Sequence, residues 1–173
     1  YALEVANNKL WLLQSVYRFG RKNNAYPLVA VDSTGKILSK KIAQNRRYIN
    51  RLSNHHMGGE LCSHNNGINV RIPMHNAIYR ILGDSVYMKY KFDFGDKDID
   101  RFISNCDEDI SDESFDQQRN KQCIISLHNN IAEINSHLIT QLSYGDKLMM
   151  LVLDKTNSTC KLYQRKANGL YLL

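Results

Sequence analysis

The sequence predicts an α+β fold, a small mixed domain with two β-hairpins and two to three helices. Two pairs of alternating apolar segments, each pair joined by turn residues, predict the hairpins. A stretch with apolar residues at steps of three and four predicts the longest helix. A length of 173 residues suffices for one buried core, or for one domain with an appended subdomain.

Taken in order, residues 2–19 place Leu3, Leu10, Leu13, Val16 and Tyr17 at the spacing of an amphipathic helix, which Asn7-Asn8 would divide in two. Residues 27–31 read as a strand, Asp32-Ser33-Thr34-Gly35 as a turn, and residues 36–42 as the return strand. Glycine and asparagine pairs at 58–59 and 65–66 mark loop backbone, and residues 68–72 form a short alternating strand. Pro73 opens a predicted helix that carries His75 and Ile78 and stops at Gly83.

Residues 86–92 alternate as a strand. Ten acidic residues lie between 93 and 116, predicting a short helix start over 93–102 and a mobile loop over 107–116. The spacing of a calcium loop is absent there. Residues 122–142 predict a helix, with Ile124, Leu127, Ile131, Ile134, Leu138 and Leu142 on one stripe. Residues 147–153 and 160–164 flank a turn at 154–158 as the second hairpin, and residues 169–173 close the chain. No internal repeat is recognised.

The net charge of +6 is unevenly distributed. Residues 1–91 hold 14 Lys+Arg against 4 Asp+Glu, and residues 92–173 hold 9 against 13. The expected division is therefore a basic region over 1–91 and a subdomain over 92–173 containing the acidic loop, helix and hairpin, although the two could form one compact domain. A basic half points to a polyanionic partner, nucleic acid first and DNA ahead of RNA. No uncharged apolar run approaches membrane-spanning length, so no membrane is expected. No secretory leader is recognised, and four scattered cysteines read as reduced thiols, predicting a cytoplasmic or nucleoid-associated protein.

The candidate chemistry concentrates over residues 53–81, which hold His55, His56 and His75 together with Asn69. Adjacent histidines point to opposite sides of an extended segment, so one can bind a metal while its neighbour acts on a water. An imidazole suits the base role because it titrates near neutral pH. This run, His55-His56, Gly58-Gly59, Asn65-Asn66, Asn69-Val70-Arg71-Ile72 and His75, resembles the HNH nucleases of the ββα-metal endonuclease superfamily. The resemblance implies a ββα-metal motif over 53–83 and hydrolysis of phosphodiester bonds with a divalent ion, Mg, Mn or Zn. It further implies His56 as general base, His55 and His75 as metal ligands, and Asn69 (or Asn66) as the asparagine orienting the base. Lys40, Arg46, Arg47, Tyr48, Arg51 and Arg71 are the expected nucleic-acid contacts. The competing reading is a non-catalytic DNA- or RNA-binding module of a larger nucleoprotein or guide-RNA-dependent nuclease. A Cys-His hydrolase using Cys62 with His55, His56 or His64 is a third.

Overall fold

The computed structural model describes residues 2–6, 8–13, 26–43, 60–72, 75–107, 109–166 and 169–172. It divides into two compact units, Tyr1–Phe92 and Asp93–Leu173. The α+β expectation is corrected: the described residues form thirteen strands and two α-helices.

Unit 1 contains two antiparallel meanders. The first runs β1 (Ala2–Ala6), β2 (Lys9–Leu13), β3 (Leu28–Val31) and β4 (Ile37–Lys41), and the second β5 (Glu60–His64), β6 (Gly67–Arg71), β7 (Ala77–Leu82) and β8 (Ser85–Lys91). The helix expected over 2–19 gives way over 2–13 to β1 and β2, paired in register from Ala2↔Leu13 to Ala6↔Lys9, and its remainder, 14–19, lies outside the described residues. Asn8, which was to help divide a helix, stands instead in the hairpin turn between these strands with a positive φ of 57°.

The expected ββα motif is likewise corrected. A hairpin of β5 and β6 is present, but the following segment is strand β7, so three strands stand where two strands and a helix were expected. Asn65 and Asn66 take φ of 42° and 57°, the two positive values that a two-residue type I′ turn requires. Gly67 follows because there is no room for a side chain: a Cβ there would lie 2.6 Å from the Ile81 carbonyl oxygen and 2.8 Å from Arg80 Nη2. The Asn-Asn-Gly run is therefore turn chemistry.

The core of unit 1 joins one face of each meander. Trp11, Leu13, Leu28 and Ala30 of the first meet Ile68, Val70, Ile72 and Ile81 of the second. Alternation sends these side chains to one side of each strand, and full burial of an aliphatic residue of this size contributes about 1.5–3 kcal/mol. First strand β1 packs beside β5 and β6. Last strands β4 and β8 form the opposite edges of their sheets and are largely exposed.

Unit 2 opens with a 3-10 turn, Gly95–Lys97, then α1 (Ile99–Asn105) and α2 (Asp112–Gln122). Asp98 caps α1 by accepting from the Asp100 N–H at 2.9 Å. The acidic stretch expected to be a loop enters α2 instead: Ser111 Oγ accepts from the Ser114 N–H at 3.3 Å, and Asp112 and Glu113 occupy the first turn, where carboxylates favour the helix dipole. The Phe102 and Phe115 rings, 5.4 Å apart, join the two helices.

A five-stranded antiparallel meander follows: β9 (Ile124–Glu133), β10 (His137–Tyr144), β11 (Lys147–Asp154), β12 (Thr159–Lys166) and β13 (Gly169–Leu172). The helix expected over 122–142 is thus two strands. Leu138, Thr140 and Leu142 are buried in strict alternation. Isoleucine and threonine, stiff at χ1, suit this pleated surface better than a helix. Both hairpins read from the sequence, β3–β4 and β11–β12, are present.

Candidate functional site

The residues on which the nuclease reading rested do not assemble into a site among those described. His55, His56, Arg46, Arg47, Tyr48 and Arg51 lie outside the described residues. Asn69 is fully buried on β6, where its Oδ1 accepts a hydrogen bond from Arg80 Nη1 at 3.1 Å. His75 occupies the connection before β7 and lies on no helix; its Nδ1 is 3.3 Å from the Tyr79 hydroxyl. Lys40 is exposed on the outer strand β4, in the meander that lacks Asn69. Among the described residues, no three His, Cys, Asp or Glu side chains gather as a metal-binding group.

Arg71 was expected to contact phosphate but is 1% exposed. It stands opposite Glu60 across the β5–β6 pair, with Nε 3.7 Å from Glu60 Oε2. Burial pushes the Arg71 pKa down and the Glu60 carboxylate pushes it back up. A guanidinium enclosed and paired in this way serves the sheet interior.

Arg80, which sequence reasoning passed over, organises this polar face. One guanidinium reaches Asn69 Oδ1, the His64 carbonyl at 2.6 Å and the Asn65 carbonyl at 2.8 Å. It therefore ties the β5–β6 turn to β7. The available signal was the His64-Asn65-Asn66-Gly67 turn followed by alternating Asn69, Arg71 and Arg80. That alternation resembles a solvated face, but both faces of β6 are buried.

The first strands of the two meanders carry a second polar group. Ser63 Oγ on β5 donates to Glu4 Oε1 on β1 at 2.8 Å, and His64 adjoins Ser63. These residues lie along edge strands, with Ser63 exposed and Glu4 half-buried. A carboxylate and a hydroxyl can together recognise hydroxylated or cationic groups, while His64, next along β5, points to the opposite face. In unit 2, burial raises the Cys123 thiol to about 12, with Arg119 opposing the shift, so this thiol is unsuited to nucleophilic work near neutral pH.

One recurrence also escaped the sequence reading. Leu28-Val29-Ala30-Val31-Asp32-Ser33-Thr34 and Leu151-Val152-Leu153-Asp154-Lys155-Thr156 both end a third strand in the same turn device. Asp32 Oδ1 accepts from the Thr34 N–H at 2.9 Å and from its hydroxyl at 2.6 Å, and Asp154 Oδ1 accepts from Thr156 at the same two distances. Both aspartates are held below their ordinary pKa by these bonds.

Antiparallel meanders built from neighbouring strands, of which the two in unit 1 pack on each other through an apolar face, have the form of β-propeller blades. The chain belongs to the DUF5128 6-bladed β-propeller family, whose model matches residues 2–170. A solved protein of Bacteroides fragilis NCTC 9343, named for its inferred export, has a similar fold. It superposes with a TM-score of 0.64 at 12% identity, over 94% of this chain and 45% of its own. The chain thus spans less than half the length of that protein. No curated protein matches the sequence.

These findings overturn the HNH resemblance and, with it, the endonuclease function and its binding-module alternative. A match along 2–170 to a propeller family outweighs a short histidine- and asparagine-bearing run whose described part is a turn and a buried strand. The cytoplasmic or nucleoid-associated placement is corrected on the export for which the similar protein is named.

Proposed function

We propose that this chain is part of an exported six-bladed propeller that serves as a ligand-binding scaffold, with the first strands of its blades forming the binding wall. The observation supporting this reading is the Ser63–Glu4 hydrogen bond between neighbouring first strands. Blades of this class surround a central channel, and β1 packs beside β5 while β4 and β8 form the opposite edges. The first strands are therefore assigned to the channel side. Glu4 and Ser63 suit a small solute bearing hydroxyl or amine groups. The export for which the Bacteroides fragilis protein is named supports placing this chain outside the cytoplasm.

A thermal-shift screen of mono- and disaccharides and of polyamines, run on wild type and Glu4→Gln, tests the site. A ligand present at a hundred times its Kd stabilises the folded protein by about 2.7 kcal/mol, and the shift should disappear in the variant. A ligand whose shift survives Glu4→Gln would place binding elsewhere. Recovery of the protein solely in the cytoplasmic fraction of its native cells would refute export.

A further inference from the structure

The geometry points to a second surface, beyond the scaffold reading: the outer rim of unit 1, which docks on an anionic lipid surface. Residues 1–92 contain four carboxylates, Glu4, Asp32, Glu60 and Asp84, and none lies on β4 or β8, although Asp32 and Asp84 sit in the turns that lead into those strands. Glu4 accepts from Ser63, Asp32 closes its own turn, Glu60 pairs with Arg71, and Asp84 pairs with Lys9. Strands β4 and β8 carry lysines and no acidic residue. Lys36, Lys40 and Lys91 are exposed on or beside these strands, so the lysines outnumber the two aspartates in the adjoining turns.

Charge alone would suit any polyanion, and the apolar side chains beside the lysines narrow the choice. Ile37 and Leu38 on β4 are 50% and 46% exposed, and Tyr87 and Met88 on β8 are 45% and 49% exposed. Lysines flanking exposed aliphatic and tyrosine side chains match the boundary between headgroups and acyl chains. Nucleic acids and soluble acidic polymers offer the charge without the apolar layer. Edge lysines also discourage two such strands from pairing, which directs the rim towards a surface and away from a second copy of itself.

The test is cosedimentation of the full chain with vesicles of phosphatidylcholine alone or with about 30% phosphatidylglycerol, at low and high salt. Binding is expected to the anionic vesicles only and to weaken with salt. The triple variant Lys36→Glu, Lys40→Glu, Lys91→Glu should lower affinity at least about tenfold, since each lysine near such a surface contributes on the order of fivefold. Ile37→Ser with Leu38→Ser should weaken binding at unchanged charge. Equal binding to both vesicle types, or indifference to the charge reversals, would overturn the proposal. Binding to soluble polyglutamate that competes fully with vesicles and ignores the Ile37/Leu38 changes would also overturn it, in favour of a soluble polyanion. Trp11 fluorescence of each variant reports whether unit 1 remains folded.

Discussion

Replacing Arg80 with methionine should destabilise unit 1 without touching its surface. Arg80 is 6% exposed, and its guanidinium donates to Asn69 Oδ1, the His64 carbonyl and the Asn65 carbonyl. Hydrogen bonds to a charged group are worth about 1.5–3 kcal/mol each. The three do not add fully, because removing the arginine also removes the cost of burying it, and methionine restores part of the packing. A net loss of about 3 kcal/mol is the expected outcome. Trp11, the sole tryptophan, is 1% exposed in the core of unit 1, so its fluorescence during urea unfolding reads the change where it occurs. Lys40→Ala on the exposed strand should shift stability by less than about 0.5 kcal/mol. Combining Arg80→Met with Asn69→Ala should show coupling on the order of 1 kcal/mol, because each removes the other's partner. A loss below about 1 kcal/mol for Arg80→Met would refute the account of this residue as the clamp of the β5–β6 turn.

Two further outcomes concern titration. Asp32 and Asp154 have folded pKa values below their ordinary 3.8. Their contribution is therefore present above about pH 4 and is lost as pH falls through the lower folded value. Asp32→Asn should flatten the acid limb of the unfolding curve, and an unchanged limb would show that the turn carries no pH-linked stability. Burial raises Cys123 to about 12, so it should resist alkylation in the native protein at pH 8 while exposed Cys160 reacts, as mass spectrometry of the labelled peptides would show. Labelling of both at equal rates would contradict the buried, protonated thiol.

The legible parts of the fold were those where turn chemistry and alternation agreed. The Asp32-Ser33-Thr34-Gly35 turn between alternating segments revealed β3 and β4, and the Asp154 turn revealed β11 and β12. Segments 2–13 and 124–144 misled because apolar residues at steps of three and four also satisfy a helix. Strand pairing decided these cases, and pairing is non-local information. The recurrence of Leu-Val, Asp and Thr at the third-strand turns was present in the sequence and would have signalled a repeating sheet.

The proposed site was less legible than the fold. Asn65-Asn66-Gly67 and Asn69 suggest a catalytic loop when read as side-chain chemistry; their backbone angles and burial identify a tight turn and an interior strand. Arg71 looks like a solvent-facing cation until both faces of β6 are seen to be covered, and Arg80 is likewise buried on β7. The Glu4–Ser63 bond joins residues 59 positions apart, which no local pattern reveals.

Every strand pairing within the three meanders joins strands adjacent along the chain. Among the described strands none pairs with a strand distant in order. Loop-closure entropy grows only slowly even across the longer β2–β3 connection, so a sheet can zip up as soon as its own segment is available. On a ribosome, β1–β4 would complete their pairing before β5 is synthesised, leaving the Trp11 face exposed until the next sheet arrives to cover it. The helical segment between β8 and β9 then acts as a pause in this sequential assembly: it lengthens the interval between sheets without altering which strands find each other.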